Sequence, residues 1–201
     1  PTNAGGSAHT WTAAANAQID TAQSEFGGAS GLFDGTGDKV TTPDHADFTL
    51  GSGDWTIDFW FNRAGGNGAS RRICGQGDVS ATTTTRTADV RLTTGNVIQG
   101  VAAVGSTAFT VTGTTAFTAT GWHHVAFVRT GDILRLFVDG VQEGGDVAIT
   151  GTINNSTDVY AVGATGAAGE EWNGWLDEFR LSVGIARWTT TFTPPVAEYA
   201  T

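Results

Sequence analysis

The chain has 201 residues, of which 39% are hydrophobic and 15% charged, with 29 Gly, 7 Trp, 11 Phe and no Met. Its net charge of −10 repels phosphate backbones and anionic lipid, which argues against nucleic-acid partners and membrane insertion. No run approaches the roughly 18 apolar residues of a spanning helix, and the single cysteine, Cys74, cannot close an intrachain disulfide and reads as a small core hydrophobe.

Residues 1–29 are small and polar, with isolated Trp11, Ile19 and Phe26. They read as an N-terminal extended arm that packs on the following domain or on a neighbour. A short helix fits Asn16–Glu25, stopped by Gly27 and Gly28. From Ser30 onward short strand-like runs alternate with turn signals, at 31–33, 39–42, 71–76, 88–92, 97–104, 107–112, 158–163 and 175–182. Trp55, Ile57, Phe59 and Phe61 alternate with Thr56, Asp58, Trp60 and Asn62, the period of a strand with one buried face. Trp122–Arg129 is another strand, with one of His123 and His124 packed and the other solvated. Ile133–Val138 and Val141–Glu143 flank Asp139–Gly140, a hairpin signal because both turn residues take positive φ. Thr82–Thr85 reads as a loop or an edge strand. Thr193–Pro194–Pro195 ends the last strand and reads as an exit linker, with 196–201 a C-terminal tail. Many short strands with glycine turns and no long helical period predict an all-β, two-sheet antiparallel sandwich over residues 30–195.

Four segments in order resemble the laminin-G-like, concanavalin A-like lectin and glucanase superfamily, in the form found in bacteriophage tail, fibre or capsid-decoration proteins. They are SEFGGASGLFDGTGDKVTTP (24–43), GDWTIDFWF (53–61), GWHHVAFVRTGDILRLFVDG (121–140) and GWLDEFRLSVGIARWTTTFTPP (174–195). The resemblance implies a jelly-roll sandwich and a virion setting at the particle surface. It also implies contacts with other virion proteins, including further copies of the chain, and with cell-surface glycan.

The acids argue against an enzyme. A retaining glycosidase pair sits about 5–5.5 Å apart, and no two acids of this chain are separated by one residue. Asp54 and Asp58 are four apart, but Asp54 belongs to a turn; Glu170–Glu171 and Asp177–Glu178 are adjacent and point to opposite faces of a strand. No G-x-S-x-G, phosphate loop or H-E-x-x-H is present.

Two binding chemistries remain. Asp177 falls in register with Trp175, Phe179 and Leu181, and a carboxylate on an apolar face is costly unless it is paired or holds a metal. The resemblance implies that the Asp of this D-E-x-R strand can help hold a structural Ca²⁺, with Asp34 and Asp38 supplying further hard oxygens. The competing reading pairs Asp177 with Arg180 or Arg187 and leaves Asp34 and Asp38 as turn residues; a bulge that swings Asp177 outward would also remove the metal argument. For glycan, which stacks on exposed rings and hydrogen-bonds at the rim, the candidates are Trp172 and Asn173 by the late glycine-rich loop and Asn154 in another. The other tryptophans read as packing.

Overall fold

The computed structural model describes residues 8–77, 84–165 and 170–199. Its strands are β1 (Thr12–Ala14), β2 (Gln18–Asp20), β3 (Ser30–Asp34), β4 (Lys39–Thr42) and β5 (Trp55–Arg63). Then follow β6 (Arg71–Gln76), β7 (Ala88–Leu92), β8 (Val97–Val104), β9 (Thr107–Ala116) and β10 (Trp122–Thr130). The last four are β11 (Ile133–Val138), β12 (Val141–Ala148), β13 (Tyr160–Val162) and β14 (Asn173–Val183). A single 3-10 turn, Ala46–Phe48, precedes β5. The strands form two seven-stranded antiparallel sheets, in the orders β1-β4-β13-β6-β7-β8-β9 and β12-β11-β10-β5-β14-β3-β2. This is the jelly-roll sandwich that the period-two runs predict. Among the described residues no helix is long and apolar enough to cross a membrane.

The core lies between the sheets. Trp55, Ile57, Phe59 and Phe61 on β5 meet Cys74, Val90, Leu92 and Ile98 of the opposite sheet, all fully buried. Burial pushes the Cys74 thiol up, out of the range of a reactive thiolate. Gly100 on β8 lets the Phe127 ring sit against the backbone, where a Cβ would lie 2.6 Å from that ring. Asp139 and Gly140 close the β11–β12 hairpin with φ of 49° and 77°, the left-handed pair that such a turn requires.

Both faces of β5 are buried, where the sequence predicts one. The reason is the segment after β14. Trp188 and Phe192 stack at 4.2 Å on the outer face of the second sheet, over Ala126, Val128 and Phe137. Phe192 N–H donates to Gly140 O at 2.9 Å, and Arg187 N–H donates to Thr56 Oγ1 at 3.0 Å. Pro194–Pro195 is therefore not an exit linker: the chain continues along this face to Tyr199, whose hydroxyl lies 3.1 Å from Nε2 of the buried His124. His123, on the other face, is half-buried and pairs with Asp139.

The arm also differs from expectation. Asn16–Glu25 forms no helix; a stretch this short is marginal as a helix in water, and β2 instead pairs with β3 while β1 pairs with β4. Residues 12–20 thus cross from one sheet to the other and close that side of the sandwich. Of the Thr82–Thr85 run, residues 82–83 lie outside the described residues and Thr84–Thr85 form a turn.

Phe59 is fully buried while Ile19 is 75% exposed. In urea denaturation Phe59→Ala is expected to lose about 3–5 kcal/mol, and Ile19→Ala to stay within about 0.5 kcal/mol of the parent. Similar losses for both would contradict this assignment of the core.

Candidate functional site

The three carboxylates predicted to hold Ca²⁺ do not converge. Asp38 is fully buried, and its two oxygens accept from Asn16 N–H and Asp34 N–H, each at 2.7 Å. Asp34 accepts from Asn16 Nδ2 at 3.0 Å and from Thr36 N–H at 2.8 Å, which holds its carboxyl below the usual range. Asp34 pairs with Asn173 across the sheet, and Asp177 lies four residues further along β14. Among the described residues these three form no group with ligand atoms close enough to share an ion. Each of their oxygens accepts an amide N–H, and because the three carboxylates stay apart the residues do not fit the expected metal.

Asp177 is also on the other face from the one predicted. A β-bulge falls between Asp177, which pairs with Trp60, and Arg180, which pairs with Asp58. Two residues, Glu178 and Phe179, therefore oppose Phe59 alone, and the phase of the strand shifts. Phe179 and Leu181 pack against the core, while Asp177 turns outward. Its Oδ2 accepts from the N–H groups of Glu25 (2.9 Å) and Phe26 (3.1 Å), and its Oδ1 from Glu178 N–H (2.9 Å). Neither Arg180 nor Arg187 is its partner: Arg180 binds Asp58 through two bonds of 3.1 and 2.7 Å, and Arg187 donates to Ser182.

The predicted glycan-binding residues are likewise separate. Trp172 is fully buried rather than exposed, edge-on to Phe61 at 5.7 Å; its indole fills the core at the end of β5. Asn154 is a turn clamp, accepting from Gly105 N–H at 2.7 Å and donating to Gly105 O at 2.8 Å. Asn173 is half-buried at the start of β14, packed against Gly35.

A more coherent polar site lies on the outer face of the first sheet. Strand alternation puts Val90 and Leu92 inward and Asp89 and Arg91 outward, with Arg72 and Gln99 each opposite Arg91. Arg72 donates to Asp89 at 2.9 Å and to Glu170 at 2.6 Å, and Arg86 donates to the second Asp89 oxygen at 2.7 Å. Arg91 donates to Gln99 Oε1 at 2.7 Å, and Gln99 Nε2 passes the chain on to Thr112 Oγ1 at 2.8 Å. Ser70, Arg91, Thr93, Thr94, Gln99 and Glu170 line a shallow groove over this network. Burial works to raise the Glu170 carboxyl, but its hydrogen bond and charge contact with Arg72 prevail and hold it below the usual carboxylate range. Among these described residues three arginines accompany two carboxylates, Asp89 and Glu170, a local positive surplus on an acidic chain. The groove offers cationic N–H, amide, hydroxyl and carboxylate groups at short range, and among the described residues no aromatic ring lines it. The sequence signal for it is partial: Asp89 and Arg91 alternate at period two in ADVRL, whereas the arginines of RRICGQ are adjacent.

With this geometry in hand, residues 34–184 match the Laminin_G_3 family of the concanavalin A-like lectin/glucanases superfamily, and the chain belongs to that family. No curated protein sequence matches the chain. Solved structures share its fold at low identity. The binding domain of Paraclostridial Mosquitocidal Protein 1 aligns with a TM-score of 0.66 at 12% identity, over 87% of this chain and 44% of that one. Domain 4 of AbnA, a GH43 extracellular arabinanase from Geobacillus stearothermophilus solved with arabinotriose, gives 0.64 at 14% identity, over 89% and 83%. The binding domain of botulinum neurotoxin serotype G gives 0.62 at 13%, over 89% and 44%. The chain thus spans less than half of each toxin binding domain it resembles.

The bulge generates a pH prediction. Burial, together with the negative charge of Asp177, raises the Glu25 and Glu178 carboxyls above their ordinary value. A carboxyl raised on folding holds its proton more tightly in the folded chain, so it costs stability once pH exceeds its folded value, and that cost vanishes below its unfolded value. Glu178→Gln is expected to melt above the parent at pH 7, with the advantage shrinking as pH falls toward the ordinary 4.5 of a glutamate. Calorimetric melts across that range check it; an advantage that grows on acidification would contradict the assignment.

Proposed function

We propose that the chain is a non-catalytic carbohydrate-binding module that takes its ligand in the groove on the outer face of the first sheet. The observation that carries this reading is the Arg91–Gln99–Thr112 relay, half-buried at Arg91 and Gln99 and exposed at Thr112, beside the Arg72–Glu170 pair. Such fixed, mutually bonded polar groups suit a polyhydroxylated ligand, whose hydroxyls both donate and accept. The cationic surplus favours a sugar bearing a carboxylate or sulfate. Without a ring to stack on, recognition rests on hydrogen bonds and charge. The fold supports the same reading, since it is shared with an arabinanase domain solved with an arabinotriose ligand and with two toxin binding domains.

The non-catalytic half of the proposal follows from the acids of the groove. Asp89 is held by two arginines and Glu170 by Arg72, and Glu170 is pushed further toward the ionised form. A glycosidase acid needs the opposite, a carboxyl raised enough to keep its proton near neutrality.

The setting proposed for the module is a virion surface, on the resemblance of segments 24–43 and 174–195, where such a groove would meet host-surface glycan. The polar arm over residues 1–29, ahead of those segments, supports a second reading, a purely structural virion part that joins sister copies or other viral chains. In the fold these segments serve the chain itself. Asp38 and Asp177 fasten the arm, and Phe192 covers the second sheet. Intrachain packing accounts for them, and the groove is what it leaves unexplained.

Glycan-array binding followed by calorimetry on the best acidic and neutral oligosaccharides tests this. Arg91→Ala and Gln99→Ala are each expected to weaken binding about tenfold, the cost of lost hydrogen bonds to the ligand and, at Arg91, of a charge. Loss confined to Asn154→Ala or Asn173→Ala would move the site to the loops, and turnover of any oligosaccharide would overturn the non-catalytic reading.

A further inference from the structure

We propose that His9, His45 and Asp47 form a binding site for a borderline-soft divalent cation of the Zn²⁺ class, which fastens the arm to the sandwich. The proposal is independent of the groove and of the carboxylates expected to bind Ca²⁺. His9 comes from the arm and His45 and Asp47 from the turn before β5. Nε2 of His9 lies 3.2 Å from Oδ2 of Asp47, and Nδ1 of His45 lies 3.3 Å from Oδ1 of Asp47. Each residue offers one ligand atom, and these atoms all lie within 4.8 Å of one another.

Three features distinguish this cluster from a chance meeting of side chains. The first is spacing. Zn–N and Zn–O bonds of about 2.0–2.1 Å at tetrahedral angles separate neighbouring ligand atoms by about 3.3–3.4 Å, close to the two separations above. The second is protonation. Asp47 N–H donates to His45 Nδ1 at 3.1 Å, so in the neutral ring that nitrogen is the unprotonated one. That is the form a metal needs; the nitrogen's single lone pair serves one partner at a time, so an ion there replaces the Asp47 amide bond. The third is support. The His9 side chain is only 10% exposed, stands edge-on to His45 at 5.0 Å and lies against Phe48 at 4.8 Å, which in turn rests on Tyr160 at 5.2 Å. The ring is held by packing. His45 and Asp47 are partly open to solvent, which leaves room for water as a fourth ligand.

The donor set selects the ion. Two imidazoles and one carboxylate suit Zn²⁺, Co²⁺ or Ni²⁺, whereas Ca²⁺ takes six to eight oxygens. An ion here would join residue 9 to residues 45 and 47 and would bind only the folded chain, raising its melting temperature.

The test uses protein free of any polyhistidine tag and stripped by chelator. Calorimetric titration with ZnCl₂ is expected to give one ion per chain, with a rise in melting temperature that CaCl₂ at the same concentration does not give. CoCl₂ is expected to give the visible bands of a four-coordinate ion. His9→Gln, which keeps a hydrogen-bonding group toward Asp47, and Asp47→Asn are each expected to weaken Zn²⁺ binding at least about tenfold. Their melts in chelator establish that both are folded. Parent-like Zn²⁺ affinity in either folded variant, a stoichiometry far below one, or an equal response to Ca²⁺ would overturn the site. The cluster would then be an imidazole–carboxylate contact alone, fastening the arm through hydrogen bonds.

Discussion

The bulge in β14 is the constraint on which the rest of the second sheet depends. By setting two residues against Phe59, it gives consecutive residues three different tasks. Asp177 turns out to bind the amides of Glu25 and Phe26, Glu178 accepts from the Tyr199 amide, and Arg180 reaches Asp58. The arm, the tail and the central strand are thereby fixed by one irregularity. Glu178 takes a φ of 50° to allow it, a conformation that costs a non-glycine residue on the order of 1 kcal/mol or more. The surrounding bonds compensate. Asp177 accepts three amides, and the Tyr199 ring lies 3.6 Å from the Arg180 guanidinium, a cation–π contact that closes the Asp58–Arg180 pair from above. A buried ion pair is rarely a net source of stability. Its role here is better described as register: only one alignment of β14 on β5 brings Arg180 over Asp58.

This arrangement makes the two outer faces of the sandwich unequal. The second sheet is sealed by Trp188, Phe192 and Tyr199, and its outward polar residues Asp58 and His124 are fully buried. The first sheet keeps partly solvated polar residues on its outer face, notably Arg91, Gln99 and Thr112. A binding function therefore has one broad sheet surface available, and the charges on it are ordered by strand pairing rather than by loops. Sites carried on strands hold their geometry better than sites on loops, which is the reason for placing the ligand there and not at Asn154 or Asn173.

Much of the sandwich was legible because its signals are local. The period-two run at β5, the Asp139–Gly140 turn and the glycine-bounded strands each follow from residues within one element. What was not legible depends on elements distant in sequence. The phase of Asp177 could be read only by assuming an unbroken strand, and the bulge that breaks it is fixed by Asp58, more than a hundred residues earlier. Trp172 has no patterned neighbours because it fills the core alone at a strand start, so the absence of periodicity wrongly suggested exposure. Pro194 and Pro195 end strand pairing, as their chemistry requires, yet a chain that leaves a sheet can still lie across it. The groove was missed for another reason. Arg72, Arg91 and Gln99 belong to different strands, and their meeting depends on register, which single-strand patterns do not contain.

The ion pairs beneath the groove bear directly on what it can recognise. Arg72 and Arg86 are nearly fully buried and already neutralised by Asp89 and Glu170, so their desolvation is met on folding and not on binding. Arg91 differs: burial and the neighbouring Arg72 charge both act against its cationic form, and its partner is the neutral amide of Gln99. A ligand anion placed at Arg91 would meet a guanidinium that shares Asp89 and Glu170 with its neighbours and bonds to a neutral amide, Gln99, which Thr112 holds in place. Preorganisation of this kind lowers the cost of association, and charge complementarity contributes to specificity more than to affinity. A neutral sugar would gain the hydrogen bonds alone, whereas one bearing a carboxylate or sulfate would also neutralise Arg91. Under the proposed function, the groove would discriminate between sugars by charge.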